Sequence, residues 1–338
     1  MSLPWRTIIS VSTERQTDLP RLSERPARGH KGTFGTVAVV GGMAQRPSEA
    51  DSGIHMVGGP ALASIAALRT GAGLCRLAMP EPVLDAALTI APEATGLALA
   101  VDAHGELIGH LCAAAIDEIV AGVQCLAIGP GLGVGEGQRA AALRAVGQSA
   151  CPVIVDADAI NALSEVPALG QDFHASAVLT PHVGEFRRLA PAVGVQTDPE
   201  EDSKAATAEL AQRLGCVVVL KSAQTTVSDG MTTWVHDRPN PALATAGSGD
   251  VLCGIVASLV AQHFRAHMGM SERAAGGVSS EMQGGLSLFD CARIGVAIHA
   301  EAGARWVNRH GGVSGGLLAG DLTKELPEVV ESFRSPGQ

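Results

Sequence analysis

Short aliphatic, β-branched runs recur along this chain, and nearly all end in glycine, proline, aspartate or lysine. Residues 36–40 run into Gly41-Gly42, 74–79 into Pro80, and 124–128 into Gly129-Pro130-Gly131-Leu132-Gly133. Residues 152–155 run into Asp156-Ala157-Asp158, 177–180 into Pro181-His182, and 216–220 into Lys221. Between and after them lie Ala/Leu-rich segments with helical character at 60–70, 107–121, 138–148, 198–214, 250–262 and 291–308. Strands that are apolar on both faces and alternate with helices require a mainly parallel sheet covered on both sides. The predicted fold class is therefore α/β, a three-layer α/β/α arrangement. Residues 225–228 and 232–236 add a hairpin turning at Asp229-Gly230.

The chain has 338 residues, 46% of them hydrophobic and 17% charged, so it can bury a large core. Tyrosine is absent and aromatics are scarce, which leaves Ala, Val, Leu and Gly to do the packing. The net charge of −10 removes the electrostatic case for nucleic acid. Seven scattered cysteines without a Cys-x-x-Cys pair point to a reducing compartment. The first thirty residues carry three prolines and no apolar run of the signal-peptide kind, and the apolar run 251–261 is too short to span a bilayer. The expectation is a cytoplasmic, non-membrane protein: an extended arm over 1–30 and a single domain over 31–335. Polar segments at 44–57 and 267–285 are expected as peripheral inserts.

The chemistry concentrates where apolar runs end, which is where open α/β sheets bind ligands. Gly247-Ser248-Gly249-Asp250 leads directly into the apolar helix at 250–262. A helix N-terminus offers free N–H groups and the positive end of a dipole, so Gly247, Ser248 and Gly249 form a candidate anion hole. Asp250 would repel the anion, and a carboxylate there suits a base acting on a hydroxyl that attacks phosphorus. The competing reading of Asp250 is a helix cap. Gly129-Pro130-Gly131-Leu132-Gly133 could cradle a phosphate or a flat ring, but it fails the dinucleotide fingerprint, and no P-loop motif occurs. Asp156 and Asp158 have two open readings, magnesium ligation through water or capping of a helix starting at Ala159. His182 is either structural or a site residue, and Lys221 is either a phosphate ligand with Thr225 nearby or a snorkelling surface lysine. His263 and His267 have metal-pair spacing but no supporting pattern, so a solvated helix end is expected.

Lys31-Gly32-Thr33-Phe34-Gly35 with Val39-Val40-Gly41-Gly42 resembles the opening of the NAD(P)H-hydrate dehydratases, members of the ribokinase-like superfamily. The resemblance continues in order through Arg69-Thr70-Gly71-Ala72-Gly73, the 129–133 loop, Asp156-Ala157-Asp158-Ala159-Ile160-Asn161, Thr180-Pro181-His182-Val183-Gly184-Glu185, Lys221 and the turn at 244–254. It closes with 295–303 and 317–326, covering about 31–330. It implies a ribokinase-like fold and repair of hydrated NADH and NADPH, S epimer, with Mg²⁺ and either ADP or ATP as co-substrate. The ring hydroxyl would be phosphorylated, with Asp250 as base, and phosphate then eliminated. It assigns Gly59, Gly133, His182 and Asp250, with Gly131 of the same loop, to the hydrated cofactor. Lys221, Ser222, Ala223, Gln224, Thr225 and Gly249 go to the adenine nucleotide, and the metal ligands remain unassigned.

The chain departs from the family pattern at Ser222 and Gln224, where Lys-Gly usually follows the strand, at Gly59, and at Ala246. Many relatives carry an epimerase domain, for which thirty residues are too few, so a separate epimerase is the expected functional partner. The family also implies a homo-oligomer, tetramers being frequent among relatives. Two rival functions stand beside this one: a vitamin-precursor kinase of the hydroxymethylpyrimidine or hydroxyethylthiazole type, and an inactive nucleotide-binding protein. A kinase would share the turn but release a stable phosphorylated product.

Overall fold

The structure, a computed structural model, describes residues 12–14, 19–45, 53–265 and 285–334. Twelve strands and ten α-helices are formed among them. In chain order they begin β1 (Ser12–Glu14), β2 (Thr36–Val40), β3 (Met43–Ala44), β4 (His55–Met56), α1 (Gly58–Arg69), β5 (Leu74–Pro80), α2 (Glu81–Ile90) and β6 (Thr95–Leu99). The middle comprises α3 (Gly109–Val120), β7 (Cys125–Ile128), α4 (Glu136–Gly147), β8 (Val153–Val155), α5 (Ala157–Leu163), β9 (Ala177–Leu179), α6 (Val183–Leu189) and α7 (Ser203–Leu214). The chain continues with β10 (Val217–Leu220), β11 (Thr225–Ser228), β12 (Thr232–His236), α8 (Ser248–His263), α9 (Leu288–Arg309) and α10 (Ala319–Ser332).

Ten strands make one sheet in the order β1-β12-β11-β10-β9-β8-β7-β2-β5-β6. Pairing is parallel from β6 to β10, and only β11 runs against its neighbours, as the predicted hairpin requires. Alternate side chains feed two cores on opposite faces. Val37, Val39 and Val219 pack with α1, α8 and α9. Val40, Val218 and Leu220 pack with the helices of the other face. That split follows from the period-two pleat and explains why these strands carry no polar side.

Helix α8 lies at the centre of the first face, packed on α1 and α9, and is buried at every position from Val251 to Ala261. Gly254 makes this approach possible, because a Cβ there would run into the Ala63 carbonyl of α1. The segment ahead of Lys31 contributes to the fold: β1 pairs in parallel with β12, and Leu22 is fully buried with its amide on the Phe333 carbonyl.

Several elements differ from expectation. The helix expected at 198–214 starts only at Ser203, because the Asp202 side chain accepts from Lys204 and Ala205 and caps it there. Helices α2, α6 and α10 and strand β6 were not expected, and Pro80 closes β5 rather than breaking it. Of the expected inserts, residues 46–52 and 266–284 lie outside the described residues, while the flanks of the first pair as the small hairpin β3–β4. No helix among the described residues is long and apolar enough to cross a membrane.

Candidate active site

Two helix N-termini meet at Asp250. Gly247 adopts φ +83° as N-cap of α8, a conformation that glycine takes without strain. Asp250 is the third residue of α8, and no side-chain hydrogen bond caps this helix, so the capping reading fails. Its carboxylate instead lies over Gly59 in the first turn of α1, with Oδ1 only 3.1 Å from where a Cβ of residue 59 would stand. Glycine at 59 is what lets the carboxylate approach this backbone. Burial raises the Asp250 pKa to about 7, helped by Asp156 and opposed by Lys221, with smaller upward pushes from Asp158 and Glu185.

Lys221 is no snorkelling lysine. It directly follows β10, with its Nζ 2.7 Å from Asp156 Oδ1 and 3.9 Å from Glu185 Oε2. Burial opposes its charge, but the two carboxylates outweigh that and hold the ammonium above its ordinary pKa. The ammonium lies over the first turn of α8, 3.3 Å from where a Gly249 Cβ would be. Asp156 is 1% exposed and occupies the N-cap position of α5, yet its side chain makes no capping bond. The helix begins at Ala157 rather than Ala159, and the capping reading of Asp156 is replaced by an ion pair. Asp158 spends its oxygens on the Gly133 amide at 2.9 Å and on Asn161 Nδ2 at 3.3 Å.

His182 caps α6. Its Nδ1 accepts from the amides of Gly184 and Glu185, while Glu185 Oε2 accepts from the His182 amide, a reciprocal capping box. Nδ1 accepts hydrogens, so the ring's own hydrogen sits on Nε2, 3.3 Å from Glu185 Oε1. In the glycine loop most of the amides that a phosphate cradle would use are engaged within the protein. The amides of Gly129, Leu132 and Gly133 are already committed to Val40, Gly129 and Asp158. Gly131 and Gly133 lie against Met56 and Met43 of the β3–β4 hairpin.

A cavity of about 720 Å³ opens beside Lys221. Of the expected residues it brings together His182, Lys221, Ser222, Ala223, Thr225, Ser248 and Gly249. Gln224, Gly247, Asp250, Gly59, Gly131 and Gly133 are not on its wall. Its basic and imidazole side chains are Lys221, Arg238, His182, His236 and His299, and no carboxylate lines it. With His299 neutral and Lys221 paired to Asp156, Arg238 and Lys221 are the cations on a wall that carries no carboxylate. Leu243, Leu252 and Val296 supply an apolar part fit for a flat ring.

Sequence reasoning missed His299, Arg238, Asn240 and the Asp156–Lys221 pair. His299, on α9, places Nε2 3.0 Å from both Oγ and the carbonyl of Ser248, bracing the first turn of α8. Burial lowers its pKa to about 4, so the ring is neutral. No local pattern marks His299 or the Asp156–Lys221 pair, because each acts on a segment far away in sequence. The Glu185 box was legible as a turn residue followed three positions later by glutamate. His263 does not behave as a solvated helix end: burial, with Arg334, Arg265 and Arg25 around it, lowers its pKa to about 4. That cationic setting opposes a metal, and His267 lies outside the described residues.

Among the described residues no three acidic, cysteine or histidine side chains converge as a metal cage. The carboxylates around Asp250 nonetheless outnumber the single lysine opposing them. That surplus fits magnesium carried by phosphates and water, the ion's usual manner of binding.

A mainly parallel three-layer α/β/α sheet with a buried central helix on one face is the ribokinase-like class of fold. A sequence model described as NAD(P)H-hydrate dehydratase matches residues 52–328. The chain belongs to the NAD(P)H-hydrate dehydratase family, whose members are enzymes. It is 32% identical over 308 residues to an ADP-dependent (S)-NAD(P)H-hydrate dehydratase of Xanthomonas campestris, covering 90% of each chain. It is 32% identical over 328 residues to a bifunctional NAD(P)H-hydrate repair enzyme of Moorella thermoacetica, covering 94% of this chain but only 53% of that one. The chain thus spans about half the length of the bifunctional relatives it matches. A Bacillus subtilis ADP/ATP-dependent NAD(P)H-hydrate dehydratase crystallised with ATP and Mg²⁺ superposes with a TM-score of 0.69 at 26% identity, covering 94% of this chain and 100% of that one.

Proposed function

We propose that this chain removes water from the S epimer of hydrated NADH and NADPH at the expense of ADP or ATP. The observation that carries the reading is Asp250, a carboxylate raised to about 7 at the junction of two helix N-termini, beside an anion cavity without carboxylates. Membership in the family supports the same substrate class.

In this reading the adenine nucleotide fills the 720 Å³ cavity, with its ring toward Leu252 and its phosphates toward Lys221 and the first turn of α8. Lys221, Ser222, Ala223, Gln224, Thr225 and Gly249 meet it. The hydrated nicotinamide lies on the Asp250 side, bounded by Gly59, Gly131, Gly133 and His182. Asp250 takes the proton of the ring hydroxyl as its oxygen attacks the terminal phosphorus, and the bond to the nucleotide's bridging oxygen breaks. The amides of Gly247, Ser248 and Gly249 stabilise the charge on the transferred group. The ring nitrogen's electron pair then expels phosphate, and loss of the neighbouring ring proton restores the double bond. Glu185 and Asp250, carboxylates beside Lys221, would hold the water shell of a magnesium ion carried by the phosphates. That ion supplies charge neutralisation on the phosphates.

Absorbance of restored NADH, followed with hydrated NADH, Mg²⁺ and either nucleotide, tests the reading. Recovery is expected with at least one nucleotide. Absence of recovery with both overturns it, and a stable phosphorylated product would favour the kinase alternative. We further propose residues 31–335 as one catalytic unit in the cytoplasm, assembled as a homo-oligomer that light scattering would count. A separate epimerase would supply the S epimer from the R form.

A further inference from the structure

Asp156 is placed at some conformational cost. The residue after it, Ala157, has φ +47°, a left-handed conformation that a side chain disfavours. The residue packed against it, Gly129, can carry no side chain, because a Cβ there would overlap the Asp156 carbonyl. An aspartate at an N-cap ordinarily turns its oxygens onto the helix amides. Here Oδ1 turns away and accepts instead from Thr180 Oγ1 at 2.7 Å and Lys221 Nζ at 2.7 Å. Thr180 is 1% exposed, so its hydroxyl fixes the carboxylate where water does not compete. Strained backbone that holds a buried carboxylate against a lysine on a cavity wall is the kind of arrangement that clusters at functional sites.

We infer that Asp156 is a positioning residue for phosphoryl transfer: locked by Thr180, it holds the Lys221 ammonium over the first turn of α8, where the nucleotide's phosphates bind. The inference rests on the proposed reading of the cavity. A lysine free of such a tie, on its flexible four-carbon stem, would sample several positions. Tied at 2.7 Å to a buried carboxylate, it has one. Lys221 thereby arrives at the phosphates with its side-chain entropy already lost, and the pair acts as a preset charge rather than a mobile one.

The test measures binding of ADP and of adenosine to the full chain carrying Asp156→Ala, Lys221→Met, both, or Thr180→Val. Each single change at 156 or 221 is expected to weaken ADP about tenfold or more, and the double variant to be no more than about twofold worse than Lys221→Met alone. Adenosine, which has no phosphate, is expected to keep its affinity within about twofold in all four. Thr180→Val keeps the charge pair but frees the carboxylate, and a loss of about threefold for ADP is expected, with a rise in KM for the nucleotide larger than the fall in kcat. Should Asp156→Ala fail to fold, Asp156→Asn, which keeps Oδ1, and Thr180→Val carry the same comparison. Additive losses in the double variant, or equal losses for ADP and adenosine, overturn the inference and reduce Asp156 to a structural role. If the unaltered chain binds adenosine but not ADP, or neither, the cavity reading itself falls and the inference with it.

Discussion

A carboxylate titrating near neutrality makes Asp250 the residue with the widest consequences. As the proposed base, Asp250 must be ionised to take a proton, so kcat/KM is expected to rise with pH through about 7 and level off above it. A pH profile that is flat between 5 and 8 would contradict this. Asp250→Asn keeps shape and removes the base, so turnover is expected to fall by about 10²-fold or more while ADP binding stays. The same substitution should stabilise the fold. The folded-state pKa lies above the unfolded value of 3.8, so folding takes up a proton between those values, and the stability this confers is lost as pH rises through about 7. Replacing the residue by a neutral amide should therefore raise the melting temperature at pH 8, by a change on the order of 1 to 3 kcal/mol, and matter much less at pH 5. Melting curves at the two pH values check the sign.

Among the elements, α8 carries Ser248, Gly249 and Asp250, and its position depends on α1. Gly254→Val would drive a side chain into the Ala63 backbone, so a loss of about 1 to 3 kcal/mol is expected, read as a lower denaturation midpoint. Activity should suffer beyond the stability loss, because Gly59 and Asp250 sit at the ends of these two helices. The strands that build the sheet were legible in the sequence because burial on both faces leaves an unbroken apolar run, as in Val217–Leu220. Helix α10 was not, since its strongly amphipathic residues include Pro327 in the interior, which reads as a breaker. The turn ahead of Asp250 and the strand-end positions of His182 and Lys221 were legible from local chemistry. The partners of Lys221 were not, because an ion pair between residues 65 positions apart leaves no mark on either segment. The same holds for the hold of His299 on Ser248, across 51 positions.

At the scale of the whole molecule, the sheet's β12 edge is covered by β1 from the segment ahead of Lys31. A chain beginning at Leu19 would bare that edge, and bared edges pair with other chains. Greater self-association by light scattering is expected for the shortened chain, with the unaltered chain as reference. The distribution of charge has a different reach. A body of net charge −10 holds one cavity with no carboxylate on its wall. On the proposed placement of the nucleotide, it meets repulsion from afar, and attraction takes over only within about a Debye length of the entrance, roughly 8 to 10 Å at ordinary salt. Encounter is thus slowed by the molecule as a whole and capture is strengthened by the cavity. Added salt should speed the arrival of a fluorescent nucleotide in stopped-flow mixing while shortening its stay, so that the two rate constants rise together.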